Sequence, residues 1–327
     1  MLKVRNLCIH PPLLLAPMAG ITHSAFRCLL LQLGGVGLLS TEMLSAKRLP
    51  QENAAISPFL ISTEAEHPLS YQLLVADKNQ LAPAIDRVHQ LGGDAIDLNL
   101  GCPAPQVRQF GGGSKLVDDA AHLRALVAEA RSRTELPLTA KIRLGEELDE
   151  TRLNNLCLML EGEGIDLLTV HARLRKEPFS RRPRWEWVGK VKNRLSIPVV
   201  ANGGIFNVND ARRCLALSGA DGLMLGRGAV VRPWLFQELA AELYGTNPPP
   251  VIDRAVIYFS FIQQLEARFR PERRLGRLKE FTHYFSKTYP FGLRLASAVQ
   301  SSHSVAEARE RATDFFRRSH DQPVLTA

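Results

Sequence analysis

The run Ala95-Ile96-Asp97-Leu98-Asn99-Leu100-Gly101-Cys102-Pro103 begins as a short apolar strand, ends in an amide and a thiol, and leads to a Gly111-Gly112-Gly113 triplet. A strand end is a rigid platform, and the glycine-rich backbone after it can close over a ligand. Helical periodicity comes next, because residues 120–133 set Leu123, Leu126, Val127 and Ala130 on one face. The same order of strand, polar loop and amphipathic helix recurs along the chain. Strands are predicted at 13–16, 37–41, 69–74, 95–98, 138–142, 167–170, 199–201 and 222–225. Eight strands alternating with helices are what a (β/α)8 TIM barrel requires. The rival, a doubly wound open sheet, has no GxGxxG after its first strand to support it.

Polar chemistry falls where such a barrel would use it. Pro17 and Met18 follow the first strand, Glu42 the second, and Gln72 lies within the third. Asn99 and Cys102 follow the fourth, Lys141 and Arg143 come at the fifth, and His171 and Arg173 at the sixth. Asn202 ends the seventh and Arg227 follows the eighth. In a barrel these ends form one rim, where active sites are built.

The residue types narrow the chemistry. Cys102 suits a nucleophile, a proton donor or a metal ligand, and equally a small hydrophobe capping a strand. Lys141 and Arg143 are two apart on a strand, so both face the same way. A buried lysine without a negative partner is costly, which implies an anionic ligand such as reduced flavin, unless Glu42 pairs with it. Asn202-Gly203-Gly204 and Gly226-Arg227-Gly228 are glycine-rich turns at the last two strands, where barrels often hold phosphate. Gln72 carries both a donor and an acceptor for an amide edge, and Met18 could pack on a flat cofactor or fill core.

The chain of 327 residues carries a net charge of +8, concentrated in two places. Residues 251–327 hold 13 Lys and Arg against 8 Asp and Glu, and residues 173–184 hold six against Glu177 alone. Two basic regions on a near-neutral body suggest a polyanion footprint, with a solvated basic face as the plain alternative. The Pro-rich stretch 245–250 reads as a linker between a barrel domain at 1–244 and a small C-terminal helical domain at 251–327. Helices are predicted there at 255–269, 275–287 and 305–319. No run is long enough to span a membrane, no signal core is present, and the five scattered cysteines show no metal-ligand spacing. A cytoplasmic, monomeric protein without bound metal is expected.

In order along the chain stand Ala16-Pro17-Met18-Ala19-Gly20, Asn99-Leu100-Gly101-Cys102-Pro103, Lys141-Ile142-Arg143-Leu144-Gly145, Val170-His171-Ala172-Arg173, Ala201-Asn202-Gly203-Gly204 and Gly226-Arg227-Gly228. With these motifs the chain resembles the tRNA-dihydrouridine synthases, over roughly residues 13–236 and more weakly through the tail. The resemblance implies FMN in the barrel, NADPH as reductant, tRNA as partner, and reduction of the C5–C6 bond of a D-loop uridine. It implies FMN contacts from Pro17, Met18, Ala19, Gln72, Lys141, His171, Asn202, Gly203, Gly204, Gly226 and Arg227. Cys102 matches the proton donor, Asn99 a uridine-side residue, and Arg143, Arg277, Lys279 and Tyr284 match RNA-contacting positions. Two departures stand out: Leu100 where a second cysteine is common, and His171-Ala172-Arg173-Leu174 where the family usually reads His-Gly-Arg-Thr. The alternatives from other classes are a flavin reductase of a free pyrimidine, a non-catalytic RNA-binding protein, and a phosphate-binding isomerase.

Overall fold

The computed structural model describes residues 1–247 and 251–320. Eight parallel strands alternate with helices: β1 (Leu13–Leu15), β2 (Leu39–Ser40), β3 (Leu69–Leu74), β4 (Ala95–Asn99), β5 (Leu138–Arg143), β6 (Leu167–His171), β7 (Val199–Asn202) and β8 (Gly222–Leu225). Their pairing runs from β2 through β3 to β8 and on to β1, and a parallel bridge between Leu14 and Leu38 closes the ring. Every strand expected from the sequence is present, and the fold is the TIM barrel. Burial on both faces explains the near-continuous apolar runs, as in β4, where all five residues are buried.

The amino-terminal end of the barrel is sealed by an antiparallel hairpin, Leu2–Val4 with Leu7–Ile9, which the sequence reading did not anticipate. Its Leu2, Val4 and Ile9 pack with Leu14, Leu38, Leu167, Val200 and Met224 in a core cluster of their own. Three aspartates do similar work at this end. Asp94, Asp166 and Asp221 each stand just before an even-numbered strand and accept the first N–H of the preceding odd strand. The donors are Leu69 at 2.7 Å, Leu138 at 2.9 Å and Val199 at 2.7 Å, so backbone groups that begin a strand are satisfied by side chains.

Beyond the barrel lie four helices, Arg254–Arg268, Arg274–Phe285, Gly292–Gln300 and Val305–His320. The third was not expected, because Pro290-Phe291-Gly292 reads as a breaker but here leads into the helix. Of the linker, residues 248–250 lie outside the described residues, as do 321–327 of the tail. The helical region is not an independent core. One continuous apolar cluster runs from the barrel into it, with Phe26 against Phe281 at 6.2 Å and Trp234 against Phe285 at 6.3 Å. Arg268 Nε donates to Ser24 Oγ at 3.1 Å across this seam. Among the described residues no helix is long and apolar enough to cross a membrane.

Candidate active site

The carboxyl ends of the strands surround a cavity of about 290 Å³. It is lined by Pro17, Met18 and Ala19 after β1, Gln72 on β3, Asn99 and Cys102 at β4, and Lys141 and Arg143 on β5. His171, Asn202, Gly203, Gly204, Gly226 and Arg227 continue the ring, and Tyr284 reaches it from the helix Arg274–Phe285. Strand register makes this convergence unavoidable: Asn99 is paired with Lys141, Arg143 with His171, and His171 with Asn202.

The loop bearing Cys102 is held by a chain of buried hydrogen bonds. Asn99 Oδ1 accepts from the backbone N–H groups of Gly101 at 3.3 Å and Cys102 at 3.0 Å. Asn99 Nδ2 donates to Gln72 Oε1 at 2.7 Å, and Gln72 Nε2 donates to Asp97 Oδ2 at 2.6 Å. Thr139 Oγ1 completes the chain by donating to Asp97 Oδ1 at 2.6 Å. Gln72 therefore spends its amide oxygen and one N–H on the protein rather than presenting both to a ligand. Downstream, Cys102 O accepts from Ser114 N at 3.0 Å. A Cβ on Gly113 would come within 2.7 Å of that same oxygen, so this turn needs glycine.

Asp97 was overlooked in the sequence because a carboxylate in mid-strand reads as an interruption. Burial raises its pKa, against the hydrogen bonds from Thr139 and Gln72 and the charge of Lys141. Cys102 is the cysteine that lines the cavity and is partly exposed. Cys28, Cys157 and Cys214 are buried, and burial pushes all three thiols up, Cys214 to about 12.

Lys141 faces the cavity with no hydrogen bond or ion pair from its ammonium among the described residues. Burial first, and the nearby Arg143 second, pull its pKa down to about 8. Glu42 does not partner it: Glu42 Oε2 accepts from Gly20 N at 2.5 Å. Burial first, and then the charges of Lys141, Arg143, Arg173 and Arg227, push the pKa of His171 well below the ordinary imidazole range. The rim thus gathers cations, and the carboxylate that lines the same space is Glu280, on the helix Arg274–Phe285.

The basic loop 173–184 is not the open patch its composition suggested. Arg173 is buried, with its guanidinium donating to the carbonyls of Arg181 at 2.7 Å and Phe179 at 3.2 Å and lying 3.1 Å from His171 Nε2. Arg175 is buried against Asp118 and Glu146, and Arg184 pairs with Glu177. Lys176, Arg181 and Arg182 are left exposed. Arginines here fold the loop, which charge counting cannot distinguish from binding. The loop delivers Phe179, another cavity residue missed in the sequence. Its ring lies 4.1 Å from the Arg227 guanidinium and nearly parallel to His171 at 6.0 Å. Arg277 and Lys279 do not line the cavity. Arg277 lies over the Phe269 ring at 4.3 Å, and Lys279 is partly exposed on the same helix.

The donor set fits a flat, anionic cofactor bearing a phosphate. An unpaired ammonium sits in the wall, and Arg227 stands beside the Gly203-Gly204 turn. Those glycines have φ of +107° and +76°, and a Cβ on Gly203 would come within 2.6 Å of the His171 ring. Side chains there would close the space.

Comparison with known proteins agrees with this geometry. Residues 14–319 match the family model described as dihydrouridine synthase. The chain is 36% identical over 296 residues to the tRNA-dihydrouridine(16) synthase of Aquipseudomonas alcaligenes, covering 88% of this chain and 94% of that one. It is 30% identical over 313 residues to the probable tRNA-dihydrouridine synthase 1 of a Synechocystis strain, covering 94% and 87%. Among solved structures, the histamine dehydrogenase of Rhizobium sp. 4-9 superposes with a TM-score of 0.55 at 13% identity, over 80% of this chain and 50% of that one. That likeness is one of fold.

Proposed function

This chain belongs to the dihydrouridine synthase family, and from that premise we propose that it reduces a uridine of tRNA to dihydrouridine, using FMN and NADPH, with Cys102 as the proton donor. The observation that carries the reading is the meeting of Cys102 and an unpaired Lys141 on one cavity large enough for a ring system. Relatives named for position 16 of tRNA make that uridine the proposed target.

FMN, once reduced by NADPH, would supply the hydride that C6 of the base accepts. Everything else falls to the chain's own residues. Cys102 gives its proton to C5, so that no negative charge is left on the pyrimidine, and its sulfur recovers a proton from solvent. The Asp97–Gln72–Asn99 relay fixes where that sulfur lies, because Asn99 grips the Cys102 backbone N–H. Lys141 would offset the negative charge of the reduced cofactor, and Arg227 with the glycine turns would hold its phosphate. His171 Nε2 already accepts from Arg173 at 3.1 Å, so a cofactor group meeting its other ring nitrogen, Nδ1, would have to accept.

Reduction of a free pyrimidine uses the same cavity but leaves the outer rim unexplained. Phe110 and Phe179 are exposed on the segments that follow β4 and β6 at this end, and Arg181 and Arg182 stand exposed beside the second. Exposed aromatics interleaved with cations suit unpaired nucleobases and phosphates. The test is to map dihydrouridine in tRNA from cells lacking the gene, and to compare NADPH-driven turnover on unmodified tRNA and on free uracil. Loss of dihydrouridine at position 16 and turnover on tRNA alone are expected. A flavin-free protein, or equal turnover on uracil, would refute the reading.

A further inference from the structure

The helix Arg274–Phe285 closes one side of the cavity with two residues, Glu280 and Tyr284. They stand four apart, about one helical turn, so their side chains share a face. Tyr284 is half-buried, whereas Glu280 is exposed and therefore lies at the opening. The two sense each other: burial first, and then the charge of Glu280, push the phenol's pKa up, against the pull of Arg227. The Glu280 carboxylate has no ion pair and accepts no hydrogen bond among the described residues.

A free carboxylate is out of keeping with this rim. Lys141, Arg143, Arg173 and Arg227 line the same space, and every nucleotide of an RNA brings a phosphate that a carboxylate repels. An ionised carboxylate can only accept hydrogen bonds, so the O2 and O4 carbonyls of uracil and the phosphate oxygens offer it nothing. An internal uridine has two donors, the N3–H of the base and the 2′-hydroxyl, because its 3′ and 5′ oxygens are esterified. The base has to reach Cys102 on the segment after β4, inside the cavity. Glu280 stands where the sugar and its backbone enter, which leaves the 2′-hydroxyl as the donor it meets.

We propose that Glu280 accepts a hydrogen bond from the 2′-hydroxyl of the uridine being reduced, so that the cavity selects ribose over deoxyribose at that nucleotide. The helix Arg274–Phe285 thereby checks the sugar while the barrel acts on the base. The inference deepens the proposed function and rests on it.

Its test uses the full chain loaded with FMN and two tRNAs, one unmodified and one with a single 2′-deoxyuridine at the position the wild type reduces. For the wild type, kcat/KM should fall about 5- to 20-fold on the deoxy substrate, the size of one hydrogen bond to a charged group near water. Glu280→Ala should lose about as much on unmodified tRNA and nothing further on the deoxy substrate, because both changes remove the same contact. Any effect of deoxyribose on sugar pucker survives in Glu280→Ala, so the difference between the two enzymes isolates the contact. Glu280→Gln retains an acceptor oxygen and should keep part of the preference for ribose. FMN affinity, read by fluorescence titration, should stay at the wild-type value in both variants. A deoxy penalty as large in Glu280→Ala as in the wild type would overturn the proposal, as would a wild type indifferent to the missing hydroxyl. Weakened FMN binding in Glu280→Ala would move the carboxylate to the hydroxylated chain of the cofactor and overturn it too. A wild type that forms no dihydrouridine in any tRNA would end the proposed function itself, which sets that failure apart from failure of the sugar contact alone.

Discussion

The two ends of the barrel treat charge in opposite ways. At the amino-terminal end, Asp166 is gripped by Arg5 at 2.8 Å and Arg131 at 2.8 Å, and Asp221 by Lys192 at 2.7 Å. His67 closes on Asp94 at 2.6 Å. At the carboxyl-terminal end the loop arginines Arg175 and Arg184 are paired as well. Around the cavity, however, Lys141 has no partner among the described residues, and Arg143, Arg173 and Arg227 lean on carbonyls and aromatic rings instead. One scaffold carries both arrangements because its ends are chemically independent, separated by packed layers of Leu, Val and Ile. Paired charges lock the fold. Unpaired ones are an unspent attraction, costly until an anion arrives.

The largest expected effect lies at the unpaired end. Cys102→Ala should slow single-turnover dihydrouridine formation about 10²–10⁴-fold, the usual worth of a positioned acid. FMN uptake and thermal stability should match the wild type, because the Asn99 relay grips the backbone of residue 102 and not its sulfur. Wild-type turnover in Cys102→Ala would remove the residue from the chemistry.

Lys141 separates the two ends more sharply, since removing its charge should weaken function and strengthen the fold. Lys141→Met should lower FMN affinity about 10- to 100-fold, the range for a lost charge-assisted contact. The cofactor-free variant should melt a few degrees higher, because an uncompensated charge has gone. The pH dependence has a defined sign. Its folded pKa, lowered to about 8, lies under the ordinary 10.5, so unfolded chains bind the extra proton between those values. Stability of the cofactor-free wild type should therefore gain a rising contribution across pH 8 to 10.5, while FMN affinity falls as the ammonium is lost. Lys141→Met should abolish both trends, and a variant that melts lower with FMN affinity intact would break the contrast between the ends.

How much of this was legible follows from what each signal encodes. The barrel strands could be read because burial on both faces leaves dense apolar runs. Site residues such as Lys141, His171 and Asn202 could be read because strand ends are the places where polar groups need a reason. Asp97 and Phe179 were not, since a carboxylate inside a strand and a phenylalanine in a loop acquire meaning from partners distant in sequence. The arginines of 173–184 misled for a related reason: net charge says nothing of whether a guanidinium meets water or a backbone carbonyl. The hairpin 2–9 is too short for a periodicity to register, and Gly292–Gln300 hides behind a proline.

Asp94, Asp166 and Asp221 carried a signal that went unread, for they end Gly93-Asp94, Gly164-Ile165-Asp166 and Gly219-Ala220-Asp221, each just before a strand. They supply the smallest and most specific test of the contrast. Asp221→Ala leaves the Val199 N–H without its acceptor and frees Lys192. The exposed ion pair contributes little, so the cost should be that of one unpaired backbone group, about 1–3 kcal/mol. Denaturant titration should show that loss, while FMN affinity and turnover per folded molecule stay unchanged. β7 also carries Asn202 at its far end, so the same variant reads whether a loosened start of the strand slackens the site. Unchanged turnover would mean that strain at one end of a barrel strand is absorbed by its packing before it reaches the other, and a parallel drop in FMN affinity would show that the two ends are coupled after all.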